Sequence, residues 1–160
     1  MKKAVIVALL VMAGTMLIAG GYVAPAGSGD SAKVPCDDGD VYVNYKTKLM
    51  WQDSPYGDKE DGAYKSNRSA GKAGKWKYAK NYCSNLHYAG YSDWRLPKVA
   101  ELTELHDRTR GLKNTIGMDF WSSTPSKKNE YWAVYAVFES QPYSHMKSDS
   151  HYIRCVRCID

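Results

Sequence analysis

Four cysteines, Cys36, Cys83, Cys155 and Cys158, follow an N-terminus that looks like an export leader. Lys2 and Lys3 precede an uncharged run over residues 4–26, most apolar over 4–19. A short basic start, an apolar stretch and then small residues form a secretory signal pattern. Ala24-Pro25-Ala26 offers a small-x-small cleavage site before Gly27. Leu17-Ile18-Ala19-Gly20 resembles a lipoprotein box, but position 21 is Gly and carries no thiol to lipidate. Left uncleaved, the run would span a bilayer as an anchor with its basic end inside. Gly14, Gly20, Gly21 and Pro25 weaken a permanent span, so cleavage is the expectation. Either way the remaining chain is expected outside the cytoplasm: periplasmic, at the cell surface or extracellular. There an even cysteine count reads first as two disulfides. Cys155-Val156-Arg157-Cys158 also has the spacing of a redox pair or half a zinc site, but no strand–motif–helix context surrounds it. If residues 151–157 form a strand, Cys155 and Cys158 point to opposite faces and seek different partners.

The 160 residues, 44% apolar and 24% charged, suffice for one ordinary globular domain. A two-domain nucleotide enzyme, a collagen, a coiled coil and a multi-span membrane protein are excluded. The expected organisation is a leader over 1–26, an acidic lead-in over 27–39 and a folded domain over 40–160. Net charge is +5, and the leader takes two of those charges with Lys2 and Lys3. What remains is too small to announce nucleic-acid binding. It is concentrated, however. Lys59, Lys65, Arg68, Lys72, Lys75, Lys77 and Lys80 face only Asp58, Glu60 and Asp61 within residues 58–80. The aromatic residues are skewed too, with 13 Tyr and 5 Trp against 2 Phe. Rings with a polar handle suit half-wet surfaces.

Along the chain, Val41, Tyr42 and Val43, a polar turn and then Leu49-Met50-Trp51 predict a hairpin over 40–53. Residues 54–74 read as a long, polar, basic loop with glycines at 57, 62, 71 and 74. Trp76, Ala79, Cys83 and Leu86 share one helical face, and Gly90 follows. Pro97 is placed to open a second helix, with Val99, Leu102 and Leu105 inward and Glu101 and Glu104 outward. Residues 109–119 read as an irregular connection, 131–138 as the clearest long strand and 142–150 as a polar loop. The order predicts an α+β domain, two helices packed on a mostly antiparallel sheet.

Four segments together resemble the Lcl C-terminal-domain family of exported bacterial proteins. They are Leu49-Met50-Trp51-Gln52; Tyr82-Cys83 followed by Ala89-Gly90-Tyr91-Ser92-Asp93-Trp94-Arg95-Leu96-Pro97 and Ala100-Glu101-Leu102; Trp121-Ser122-Ser123-Thr124; and Tyr152-Ile153-Arg154-Cys155-Val156-Arg157. Asn44 and Thr47-Lys48 stand where the family's turn usually has Asp and then Thr-Gly, and the 54–74 loop is longer than usual. The resemblance implies a loop-rich C-type-lectin-like fold in which a cysteine of the first helix bonds one of the last strand. For this chain that implies Cys83–Cys155, and it leaves Cys36–Cys158. It also implies that Trp51, Trp94, Arg95, Pro97 and Trp121 belong to the scaffold, and it points towards glycosaminoglycan-binding adhesins as a functional class.

No catalytic constellation and no cofactor is expected. Arg95-Leu96-Pro97 resembles formylglycine-generating enzymes, which use a reactive cysteine pair, but the cysteines here have structural assignments. Asp93 and Arg95 are expected to form a buried structural pair. The calcium-lectin tripeptides are absent, since Gln141-Pro142-Tyr143 lacks the third oxygen ligand. Asp37, Asp38 and Asp40 lack an EF-hand pattern. His87, His106, His145 and His151 show no metal-ligand spacing, so no metal is expected. Recognition is the remaining chemistry. Tyr64, Lys65, Arg68, Lys72 and Lys75 form one candidate patch for an anionic glycan, with Tyr56 and Tyr78 as further stacking rings. Lys127, Lys128, Tyr143, His145 and Lys147 form another. Lys and Arg meet sulfates and carboxylates through charge-assisted hydrogen bonds. The alternative is a protein-binding or structural subunit of an envelope or appendage complex.

Overall fold

A computed structural model describes residues 41–107, 111–136 and 140–160, without the side chains of 106 and 107. The leader, the acidic lead-in and Cys36 lie outside the described residues. Among the described residues no helix is long and apolar enough to cross a membrane.

The architecture is α+β with two sheets. β1 (Val41–Asn44) and β2 (Leu49–Gln52) form the expected hairpin, and β8 (Val156–Cys158) joins β2 on its other side, all antiparallel. The hairpin turn shows why the sequence departure there is tolerated. The Asn44 side-chain oxygen accepts the N–H groups of Lys46 and Thr47, as an aspartate would, and Lys48 takes the left-handed conformation at φ 56°. The second sheet has the order β3-β7-β4-β5-β6: β3 (Ala73–Lys75), β7 (Ser150–Tyr152), β4 (Asp119–Pro125), β5 (Glu130–Tyr135) and β6 (Pro142–Met146). All its pairings are antiparallel except β4 with β7.

Period-two alternation divides the core. Trp51, Phe120, Val134 and Tyr152 face one cluster, while Met50, Trp121, Ala133 and Ile153 face the other. The first cluster is covered by α1 (Asp58–Lys65) through Ala63 and by α3 (Val99–Asp107) through Leu102 and Leu105. The second is covered by α2 (Trp76–Ser84) through Ala79 and Cys83. Trp51, Trp94 and Trp121 are buried, and Trp76 and Trp132 are half-buried. Two of the buried indoles are satisfied by backbone: Trp121 Nε1 donates to the Gly74 carbonyl at 2.7 Å, and Trp94 Nε1 to those of Tyr88 and Tyr91.

Several expectations change. Among the described residues there are three helices, because residues 54–74 are not one loop. Glu60 reaches back so that Oε2 accepts the Gly57 N–H at 3.1 Å, starting α1. Its other oxygen accepts the Lys72 N–H at 3.0 Å, which fastens the helix to β3. Residues 142–150 are not a loop either: Pro142–Met146 forms the edge strand β6, in register with β5. The last segment is broken at 153–155 into β7 and β8, so the alternation of faces expected along one strand does not apply. Cys155 is nonetheless buried and Cys158 exposed. β5 ends at Tyr135, and 137–139 lie outside the described residues.

Asp93 and Arg95 do not pair. Arg95 makes a two-pronged bond to Glu101, at 2.8 and 2.7 Å, tying the segment before Pro97 to α3. Glu101 therefore does not simply face solvent. The exposed Asp93 instead accepts from Arg157, at 2.7 and 3.1 Å. Cys83–Cys155 is formed as the resemblance implied. Cys158 has no disulfide partner among the described residues, and its expected partner Cys36 lies outside them.

Gly71 shows how tightly the α1–β3 connection is drawn. Its φ is +57°, and an added Cβ would fall on the Glu60 carboxylate, which already holds two backbone N–H groups. Gly71→Ala is expected to cost about 2–3 kcal/mol, from a left-handed alanine plus displacement of that carboxylate. Urea unfolding should show a lower midpoint at unchanged slope, and an unchanged midpoint would contradict the account.

Candidate functional site

Cationic and aromatic side chains surround a cleft of about 540 Å³ beside the start of α2. Its apolar wall is Trp76 stacked on Tyr131, with ring centroids 3.6 Å apart and planes 16° from parallel. Lys75, Lys77, Lys80 and Lys147 surround this pair, and Asn81 and Ser148 complete the lining. All four lysines are exposed. The backbone fixes the arrangement. Lys75 is paired with Ser150 in the β3–β7 ladder, and the Trp76 N–H donates to the Lys147 carbonyl at 3.2 Å. Trp76 Nε1 donates to the Ser122 carbonyl at 2.9 Å, which locks the indole over β4. Lys80, one turn beyond Trp76 on α2, has Nζ 5.8 Å from the indole.

The structure redistributes the sequence-predicted residues. Lys75 of one expected patch and Lys147 of the other share this cleft. Lys72 is buried: Nζ donates to the Ser54 carbonyl at 3.2 Å, to Ser54 Oγ at 2.9 Å and to the Pro55 carbonyl, above the Tyr56 ring. It is a scaffold cation and is withdrawn from the surface. Tyr56 and Tyr78 are half-buried and donate to the carbonyls of Ile153 and Gly71, so neither is an open stacking platform. Burial pushes the Tyr56 hydroxyl up to about 12, against a smaller opposing effect of Arg154. Tyr64 packs on Tyr152, with centroids 5.5 Å apart. Lys65 and Arg68 are exposed but do not line the cleft. Lys127 and Lys128 are exposed in the β4–β5 turn, which approaches the cleft where the Lys147 N–H donates to the Asn129 carbonyl. Tyr143 is exposed on β6. His145 is half-buried and meets Asp119 and His151. Lys77 and Lys80 belong to the basic stretch expected to meet an anionic glycan, whereas Trp76 and Tyr131 were not among the expected binding residues. The Trp76/Lys80 spacing of four on a predicted helix was the available signal, and Tyr131 became relevant only once β5 was placed.

Residues 40–157 match the family model of the Lcl C-terminal domain. The chain belongs to that family. No curated protein matches the chain significantly. The family segments of this Lcl domain fall on its regular elements and their connections. They supply β2, the end of α2, the segment leading into α3 and that helix's first turn, the middle of β4 and the β7–β8 stretch. Among the cleft-lining residues none comes from those segments. The cleft is thus built from residues outside those segments.

Proposed function

We propose that this Lcl domain is an exported, non-catalytic recognition module with a C-type-lectin-like fold that binds polyanionic carbohydrate in the Trp76–Tyr131 cleft. The observation that carries the reading is the stacked ring pair ringed by four exposed lysines. A sugar face lies against an aromatic ring, while sulfates or carboxylates take charge-assisted bonds from ammonium groups. The chemistry resembles that of glycosaminoglycan ligands, and the family resemblance points the same way. The leader-like N-terminus and the buried Cys83–Cys155 bond support export.

Heparin chromatography of the protein tests this. Retention is expected at low salt and loss of retention as salt rises, since the Debye length falls below about 10 Å above 0.1 M. Lys77→Glu with Lys80→Glu is expected to abolish retention, whereas Lys127→Glu with Lys128→Glu should weaken it less. Tyr131→Ala changes no charge and should weaken affinity roughly fivefold, about 1 kcal/mol of lost ring contact. Equal effects of both lysine pairs, with none from Tyr131→Ala, would reduce the cleft to a generic basic surface.

A second reading, a protein-binding envelope subunit, is favoured by β6. Among the described residues this strand ends its sheet and exposes Tyr143 and Met146, an edge suited to strand addition. Co-purification of a stoichiometric envelope protein that is lost with Tyr143→Lys would favour it.

A further inference from the structure

On the second core face, three titratable side chains from three strands converge without hydrogen bonds to one another: Asp119 of β4, His145 of β6 and His151 of β7. Asp119 Oδ2 lies 3.8 Å from His145 Nε2 and 3.9 Å from His151 Nδ1, and one ligand atom from each residue falls within 4.8 Å of the others. These separations are too long for hydrogen bonds. The two carboxylate–imidazole separations are about half an ångström above the donor spacing of a tetrahedral ion, about 3.4 Å for bonds of about 2.0–2.1 Å.

The unsatisfied atoms are an independent observation. Asp119 Oδ1, His145 Nε2 and both ring nitrogens of His151 are buried without a hydrogen-bond partner among the described residues. The His151 side chain is only 7% exposed. Buried polar atoms are ordinarily satisfied, and four unsatisfied atoms in one place ask for a missing partner. The Trp121 ring stands edge-on to both imidazoles, with centroids 4.6 Å from His151 and 6.1 Å from His145 at angles near perpendicular. It walls the group from one side and limits rotation of both rings. The His145 side chain is 26% exposed and leaves an approach from solvent.

We propose that Asp119, His145 and His151 form a binding site for a single divalent transition ion of the zinc class. Two imidazoles and one carboxylate are a donor set that zinc accepts, with a fourth position left for water or a ligand. A calcium or magnesium site would require more oxygen donors than this group offers. The bound ion would hold β4, β6 and β7 together across the sheet, through residues whose sequence spacing carries no metal signature. The proposal is independent of the lysine cleft, and heparin binding neither supports nor removes it.

The test uses the untagged full-length protein, stripped with chelator and titrated with Co²⁺ as a spectroscopic probe. Expected are saturation at one ion per chain, visible bands of a four- or five-coordinate nitrogen/oxygen site without a sulfur-to-metal charge-transfer band, and displacement by Zn²⁺. His145→Ala and Asp119→Asn, each checked for native near-UV circular dichroism, should weaken binding by at least about 10–100-fold. Cys158→Ser should leave it unchanged. Absence of saturable binding, a thiolate spectrum, or unchanged affinity in folded His145→Ala would overturn the assignment. The wild-type spectrum decides the ligand type even if a variant fails to fold.

Discussion

Arg154→Ala is expected to destabilise the domain by about 3–5 kcal/mol, enough to unfold much of a marginally stable population. Both Arg154 and Asp53 are essentially sealed from solvent, with side-chain exposures of 0% and 1%. Arg154 Nη1 lies 3.3 Å from Asp53 Oδ1 and from the Gln52 carbonyl, and Nη2 donates to the Asn114 carbonyl. Asp53 in turn accepts the N–H groups of Lys113 and Asn114 at 2.7 and 2.9 Å. The guanidinium also sits over the Tyr56 and Phe120 rings, at 5.6 and 5.3 Å from their centroids. One charge pair thus fastens the end of β2, the 111–118 connection and the β7–β8 junction. Removing the cation leaves a carboxylate buried without its counter-charge, and that penalty dominates the loss of the contact itself. Replacing both partners in Asp53→Leu with Arg154→Met should cost less than Arg154→Ala alone. Chemical unfolding of the two variants measures this, and a double variant as unstable as the single one would show that the hydrogen bonds to 113 and 114, rather than the stranded charge, carry the energy.

That pair also shows where the sequence stops being readable. Asp53 and Arg154 are separated by most of the domain, and nothing local distinguishes them from surface charges. The elements that were legible carry their own periodicity. Alternation in Val41-Tyr42-Val43 and Leu49-Met50-Trp51 places β1 and β2. Helical spacing of Ala79 and Cys83, and of Val99, Leu102 and Leu105, places α2 and α3. α1 is hidden because Asp58–Lys65 is polar, contains Gly62 and buries only Glu60 and Ala63. Its determinant is the Glu60 carboxylate, a polar feature that hydrophobic pattern reading ignores. β6 is hidden for a related reason: an edge strand that starts at proline and faces solvent on much of its length has no need of apolar alternation. The candidate sites divide in the same way. Lys75 and Lys147 were legible as basic residues, but their common cleft depends on the β3–β7 pairing and on the turn after β6. The meeting of Asp119, His145 and His151 depends wholly on strand order and could not be read from spacing.

Removal of the Cys83–Cys155 bond should have an effect of similar size, by a different route. The bond joins α2 to the break between β7 and β8 across a sequence separation of 72. Holding those residues together in the unfolded chain restricts its entropy by an amount worth about 4 kcal/mol. Both cysteines are fully buried in the cluster with Met50, Trp94, Leu96, Trp121 and Ile153. A Cys83→Ala, Cys155→Ala variant therefore keeps apolar contacts and loses mainly the cross-link, with a small addition for the two missing sulfurs. Its midpoint in urea should fall by that energy, about 4 kcal/mol, divided by the unfolding slope. Burial also predicts slow reduction: a thiol reagent reaches the bond only when the second core face opens, so reduction should accelerate with denaturant in step with unfolding. The exposed Cys158 should behave differently, reacting from the folded state if its thiol is free and at reductant-limited speed if it is bonded to Cys36. If the alanine variant matched the wild type in urea, the closed loop would be contributing nothing. Stability would then rest on the buried charge pair and the two packed faces alone.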